Sequence, residues 1–268
     1  MDIQLSHACN LLNLKGLARY FGCDYTELQG YYSELSDDNR FLDGINGCIV
    51  RARDEYGFKK AIFAKGAVDG IDWFAFERIL IYVTIRHLKP KQLLETGVFY
   101  GGNTAFALLA LEKNGAGRLM SVDYPATTIQ PQEFLRHTLV GDSEDYQKDL
   151  EPGFIIPEYL KGKWDLVIGD SLQVIPERPE RFDYYIHDSE HSMEFLRKEM
   201  GLVWASRGES LFAVVDDIDW SNGFSSFCVD HRLHPYLFTD NGKDDLRVRG
   251  GCIWSKHPNN ADPSYVGD

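Results

Sequence analysis

The stretch Gln92-Leu-Leu-Glu-Thr-Gly-Val-Phe-Tyr-Gly-Gly-Asn-Thr104 constrains the fold more than any other part of the chain. Leu93 and Leu94 read as a short buried strand. Glu95 and Gly97 lead into a Gly101-Gly102 turn, and Asn103 or Thr104 can cap a helix over the Ala- and Leu-rich run Ala105 to Glu112. A strand, a glycine turn and a helix N-terminus together put backbone N–H groups at the carboxyl end of a strand, where open α/β sheets bind ligands.

From residue 92 onward the pattern alternates. Arg118 to Asp123, a run within Lys163 to Asp170, Phe182 to Asp188 and Ser210 to Asp217 read as strands, with a helix from His191 to about Trp204. Tyr236 to Phe238 and Gly251 to Trp254 have no long helix between them, so they are expected as an antiparallel pair. Short apolar runs joined by helices predict an α/β fold, a Rossmann-like seven-stranded and mostly parallel sheet. Residues 1–90 read as a helical extension, 91–257 as the main domain and 258–268 as a loose tail. In the extension, Leu11, Leu12, Leu14, Leu17, Ala18 and Phe21 keep a helical period up to Gly22. Tyr25 to Leu35, part of Gly44 to Arg53, and Ile71 to His87 follow, the last stopped by Pro90. Tyr31, Tyr32, Phe41, Trp73, Phe74 and Phe76 are mostly core, with a remainder open to an acceptor pocket or a dimer contact. The connection Pro125 to Gly162 is long enough to be a lid over a site.

Composition excludes several classes. A formal net charge of −13 argues against nucleic acid and against an anionic membrane surface. Cys9, Cys23, Cys48, Cys228 and Cys252 are odd in number and form no C-x-x-C pair, which suggests neither a zinc site nor a disulfide framework. No run approaches the ~20 apolar residues of a membrane span. The N-terminus lacks a secretory pattern, so a cytoplasmic location is expected.

The turn is not a dinucleotide fingerprint. G-x-G-x-x-G packs bare backbone on a pyrophosphate, whereas here Phe99 and Tyr100 stand between Gly97 and Gly101. A ligand without phosphates fits better, and the cationic S-adenosylmethionine suits an acidic chain. Asp123 ends the second strand, where a carboxylate can take both ribose hydroxyls. Asp170, with Ser171, ends the third and could meet an adenine edge; each acid alone could equally be a strand end or a cap.

Taken in order, these motifs resemble the class I S-adenosylmethionine-dependent methyltransferases. Glu95-Thr-Gly-Val-Phe-Tyr-Gly-Gly-Asn103 is similar to the E-x-G-x-x-x-G-x-[ST] motif of catechol-type O-methyltransferases, departing only at Asn103. Ile155 to Ser171 and Phe182 to His191 resemble a subgroup of small bacterial methyltransferases. The resemblance spans roughly 75 to 256. It implies that Glu95, Thr96, Gly97, Tyr100, Gly101, Asn103, Thr104, Asp123, Asp170, Ser171 and His187 line the cofactor site. In metal-dependent relatives acting on catechols or macrolide sugars, acids after the fourth and fifth strands hold the metal. That implies Asp188, Asp216 and Asp217 as ligands of Mg²⁺, which favours carboxylates and retained waters. The sugar enzymes place a histidine base three residues after the first ligand, a spacing that Asp188 and His191 match.

Other readings stay open. His187-x-x-Glu190-His191 formally fits a zinc-peptidase pattern, but His187 ends a β-like run. His191 could be a cap or core histidine, and Asp216-Asp217 a solvated strand end. Asp219, Trp220 and Asn222 either shape an acceptor pocket or fix their loop. The expectation is an O-methyltransferase, Mg²⁺-assisted, acting on a hydroxyl of a sugar or other small metabolite, possible as a homodimer. The alternatives are a metal-independent methyltransferase and a non-catalytic cofactor-binding protein.

Overall fold

The computed structural model describes residues 3–56, 75–124, 151–239 and 248–260. Trp73, Phe74, the start of the helix expected from Ile71, most of the Pro125 to Gly162 connection and the last part of the tail lie outside them.

Three helices open the chain: α1 (Ile3–Phe21), α2 (Tyr25–Ser36) and α3 (Asn39–Tyr56). Asp24 caps α2 by accepting from Thr26 N at 2.9 Å. Helix α4 (Phe76–Leu88) ends at Lys89, whose left-handed backbone (φ 50°) returns its N–H to Ile85 O, and Pro90 follows. The sheet comprises β1 (Gln92–Thr96), β2 (Arg118–Asp123), β3 (Trp164–Ile168), β4 (Phe182–His187), β5 (Arg207–Val215), β6 (Pro235–Thr239) and β7 (Val248–Trp254). Between them run α5 (Gly102–Asn114), the short α6 (Ser171–Val174), α7 (Met193–Ala205) and α8 (Gly223–Asp230).

The strand order is β3-β2-β1-β4-β5-β7-β6. The pairs from β3 to β5 are parallel, and β7 runs antiparallel to both β5 and β6. The expected late antiparallel pair is therefore present. The order reverses between β1 and β4, so a crevice opens beyond their carboxyl ends, the usual ligand position in such sheets.

Side-chain alternation divides the core between the two faces. Leu93, Tyr184, Phe212 and Val214 join α4, α5 and the first three helices on one face. Leu94, Tyr185, Ala213 and Val215 join α7 and α8 on the other. Each large side chain so buried contributes roughly 1.5–3 kcal/mol. Helix α4 is buried almost all round, from Phe76 to Ile85, because it lies between the N-terminal helices and α5.

Polar ties fasten the extension to the far edge of the sheet. Tyr20 Oη donates to His234 O and accepts from Trp254 N, both at 2.9 Å. Tyr236 Oη donates to Asn13 O at 2.7 Å. Where the described residues end, Asn260 accepts from His234 N at 2.8 Å and donates to Trp254 O at 2.6 Å; the rest of the tail expected to be loose from residue 258 lies outside them.

Candidate active site

The glycine stretch forms a tight loop between β1 and α5. Gly97 sits at φ 82°, and a Cβ there would lie 2.0 Å from Asp188 O, so only glycine lets the ends of β1 and β4 approach this closely. Gly101 occupies the N-cap of α5 at φ 92° with no side-chain cap. The cap expected from Asn103 or Thr104 is thus corrected: both lie in the buried first turn and are used elsewhere. Asp123 Oδ2 accepts from Val98 N at 3.1 Å and Phe99 N at 2.8 Å, so the acid ending β2 holds the loop backbone. Burial raises its pKa, partly offset by those bonds. The described end of the long connection clasps the same loop through Gly153 N to Phe99 O (2.8 Å) and Ile155 N to Tyr100 O (3.1 Å).

Glu95 and Thr96, adjacent on β1, face opposite ways. Glu95 is fully buried beneath the loop and accepts from Thr104 Oγ1 (2.9 Å) and Ser121 Oγ (2.5 Å). Desolvation pushes its pKa up to about 8 against the pull of those bonds. Thr96 Oγ1 instead donates to Glu199 Oε2 at 2.9 Å and meets Tyr185 Oη at 2.9 Å. Asp170 is the N-cap of α6, accepting from Leu172 N at 2.9 Å, and Ser171 turns inward to donate to Glu199.

The acids after β4 and β5 meet beside the loop. His187 pairs with Val215 in register, so Asp188 and Asp216 are the next residues on neighbouring strands. Asp188 N donates to Thr96 O (2.9 Å), and Asp216 N to His187 O (3.0 Å). The Asp188 side chain is 39% exposed. Desolvation, with the carboxylates of Asp216 and Asp217, holds its pKa well above the usual carboxylate range, and Arg78 opposes the rise. His191 Nε2 lies 4.0 Å from Asp188 Oδ1, and its ring packs 5.3 Å from Trp220. His191 is not the cap of α7, because Ser192 holds that position. With His187 on β4 and His191 in the following loop, the two histidines do not share the helix face a zinc peptidase needs.

A methyltransferase-domain family profile matches residues 94–235, more than half of the chain. The chain belongs to this methyltransferase family. No curated protein matches it. Among solved structures, a Klebsiella pneumoniae protein that carries an O-methyltransferase assignment superposes with a TM-score of 0.53 at 15% identity, over 83% of this chain and 92% of its own. TomG from Streptomyces achromogenes, an O-methyltransferase involved in tomaymycin synthesis and solved with S-adenosylmethionine, gives 0.50 at 12% identity, over 79% and 88%. An O-methyltransferase from Bacillus cereus, in complex with S-adenosylhomocysteine, gives 0.50 at 10% identity, over 85% and 98%. At these identities the likeness is one of fold, in keeping with the family match.

The methyltransferase's site also uses residues that the sequence pattern does not single out. Asn103 Nδ2 bridges Glu77 Oε1 of α4 (3.3 Å) and Asp188 Oδ2 (3.1 Å). Arg78 Nη2 donates to Tyr100 Oη at 2.6 Å, and its charge reaches Asp188. Burial dominates Tyr100 and raises its pKa. Helix α4 is expected from its apolar face, which says nothing of a Glu-Arg pair reaching the crevice.

The acidic corner fits a divalent cation only in part. Mutual repulsion at Asp188 is the strain a cation would relieve, and Mg²⁺ is commonly held by one or two carboxylates and several waters. Asp217 is engaged elsewhere, 3.8 Å from Arg249 Nη1, in a left-handed backbone position (φ 46°). Among the described residues no group of three or more His, Cys, Asp or Glu side chains is arranged to hold a metal. The three-carboxylate set therefore reduces to Asp188 and Asp216, with Asp217 turned toward its arginine.

Proposed function

We propose that this methyltransferase moves the methyl group of S-adenosylmethionine to a hydroxyl of a sugar or other small natural product, assisted by a divalent cation at Asp188 and Asp216. The observation that carries the reading is the crowding of carboxylates at Asp188, beside the glycine loop and 4.0 Å from His191. The loop, Asp123 and the start of α6 at Asp170 would seat the donor, and the crevice beyond Asp188 the acceptor. Acceptor contacts would come from the N-terminal helices, the connection of residues 125–162 and the loop after Asp217, where Trp220 is half-exposed.

An aliphatic hydroxyl has a pKa near that of water, ~16, against ~6.5 for histidine. Unaided transfer of its proton to His191 would cost about 12 kcal/mol at ~1.36 kcal/mol per unit. Asp188 and Asp216 would hold the cation, which when bound would supply the acidification that closes this gap. His191 then serves as general base, and the crevice holds oxygen and methyl carbon at attack distance. Methyl transfer neutralises the sulfonium, so a low-dielectric crevice favours the reaction.

Calorimetric titration with S-adenosylmethionine and, separately, NAD, with and without Mg²⁺, tests the reading. Micromolar S-adenosylmethionine binding is expected; its absence, or tight NAD binding, ends the proposal. A metal-independent reaction is favoured by one observation, the pairing of Asp217 with Arg249. Turnover that survives a chelator would select it. No helix among the described residues is long and apolar enough to cross a membrane. The net charge of −13 supports a small-molecule acceptor rather than nucleic acid.

A further inference from the structure

A second polar assembly lies on the face of the sheet opposite Glu95. Glu199 of α7 stands on that helix's buried stripe between Leu196, Met200 and Val203 and is fully buried. Its Oε2 meets His187 Nδ1 (2.6 Å), Tyr185 Oη (2.6 Å), Thr96 Oγ1 (2.9 Å) and Ser189 Oγ (3.0 Å), while Oε1 accepts from Ser171. Desolvation opposes a charge there, and the hydrogen bonds that converge on the carboxylate from His187, Ser171 and Tyr185 favour it. A carboxylate in that state only accepts, so His187 must carry a proton on Nδ1. His187 Nε2 is buried with no hydrogen-bond partner. A neutral ring leaves only a lone pair there, whereas an imidazolium would leave a buried, unmatched N–H.

His191 packs against that ring edge to face, with centroids 5.5 Å apart and planes at 87°. Trp220 lies 5.3 Å from the same His191 ring. The groups thus form a series from Glu199 through His187 and His191 to Trp220. Glu199 and Thr96 are fully buried, whereas Trp220 is half-exposed.

We propose that Glu199 is a positioning residue for His191: it fixes His187 as the Nδ1–H tautomer, and the fixed ring holds the His191 imidazole in one orientation against Trp220, facing Asp188. This rests on the reading of His191 as the base. A hydrophobic residue at position 199 would fill the same stripe without the cost of burying a charge. The carboxylate instead selects one tautomer, as a buried acid does behind other catalytic imidazoles.

The test is long-range ¹H–¹⁵N correlation spectroscopy on the whole ¹⁵N-labelled protein at neutral pH, with no cofactor added. The wild type should show His187 with a protonated Nδ1 and a lone-pair Nε2. Glu199→Gln keeps the shape but offers an amide N–H, so it should lose the single-tautomer pattern and shift the His191 ring signals. An Nε2–H tautomer in the wild type overturns the proposal, as do unmoved His191 signals in the variant. The wild-type spectrum decides alone if the variant fails to fold. Failure of S-adenosylhomocysteine to bind the wild type would instead strike the methyl-transfer reading, leaving the tautomer result in place.

Discussion

The substitution Glu95→Gln should flatten the pH dependence of stability. Glu95 is fully buried, and its pKa is raised from 4.5 to about 8. The folded state therefore holds a proton that the unfolded chain releases near 4.5. The stability this proton contributes is fully present below 4.5 and is lost as pH rises through about 8. The difference, 8 − 4.5 = 3.5 units, is worth ~5 kcal/mol at about 1.36 kcal/mol per unit. Between pH 6 and pH 8 the group alone should cost the wild type about 2–3 kcal/mol. The amide of the variant has no proton to lose, and it can still bond the Thr104 and Ser121 hydroxyls. Urea unfolding of both proteins at half-unit steps from pH 6 to pH 9, at constant ionic strength, reads the gap directly. The variant should gain on the wild type steadily from pH 6 to about 8 and level off above it. A gap that does not change with pH would mean that Glu95 is already ionised in the folded protein, and the burial argument would be wrong.

Three further outcomes are expected. Gly97→Ala must accept both a left-handed backbone and a Cβ 2.0 Å from Asp188 O, where ordinary contact begins at 3.4 Å; roughly 2–5 kcal/mol of stability and most S-adenosylhomocysteine affinity should go, measured by denaturation and calorimetry. Tyr20→Phe strands Trp254 N–H and His234 O, so the denaturation midpoint should fall by the equivalent of about 1–3 kcal/mol, with donor affinity unchanged. Asp188→Asn removes the charge that Asp216 and Asp217 repel; thermal unfolding should move up at neutral pH while methyl transfer is lost, and a lower midpoint would show that Asp188 is not under that repulsion.

The sheet is legible because its signals are local. Arg118 to Asp123 reads as a strand and is β2, and Phe182 to Asp188 overshoots β4 by one residue. The late hairpin is readable from the missing helix. Boundaries set by tertiary contact are less so: α3 runs from Asn39 to Tyr56, well beyond Gly44 to Arg53, and β5 begins at Arg207, because Phe182 pairs with it. At the site, the acids at strand ends can be placed by counting strands. The cap of α5 cannot: the left-handed Gly101 satisfies the helix start and frees Asn103 for Glu77 and Asp188. Glu199 does leave a signal, a charged residue on the stripe Leu196, Met200 and Val203, where an apolar one is expected. The engagement of Asp217 by Arg249 leaves none, since the two meet only when β7 returns to β5.

The bridge from Glu77 through Asn103 to Asp188 bears on how such an enzyme can change its acceptor. On the proposal that the N-terminal helices contribute acceptor contacts, exchanging them is the obvious way to retarget it, since that leaves the strands intact. Yet α4 carries Glu77 and Arg78 to the glycine loop and the start of α5, and Arg86 of the same helix clasps Glu34 of α2 at 2.8 Å. A transplant that cut the chain at residue 90 would remove both charges and leave Asn103 without its second partner. A cut just before α4 would keep them, so grafts made there should inherit methyl-donor binding and differ only in what they accept.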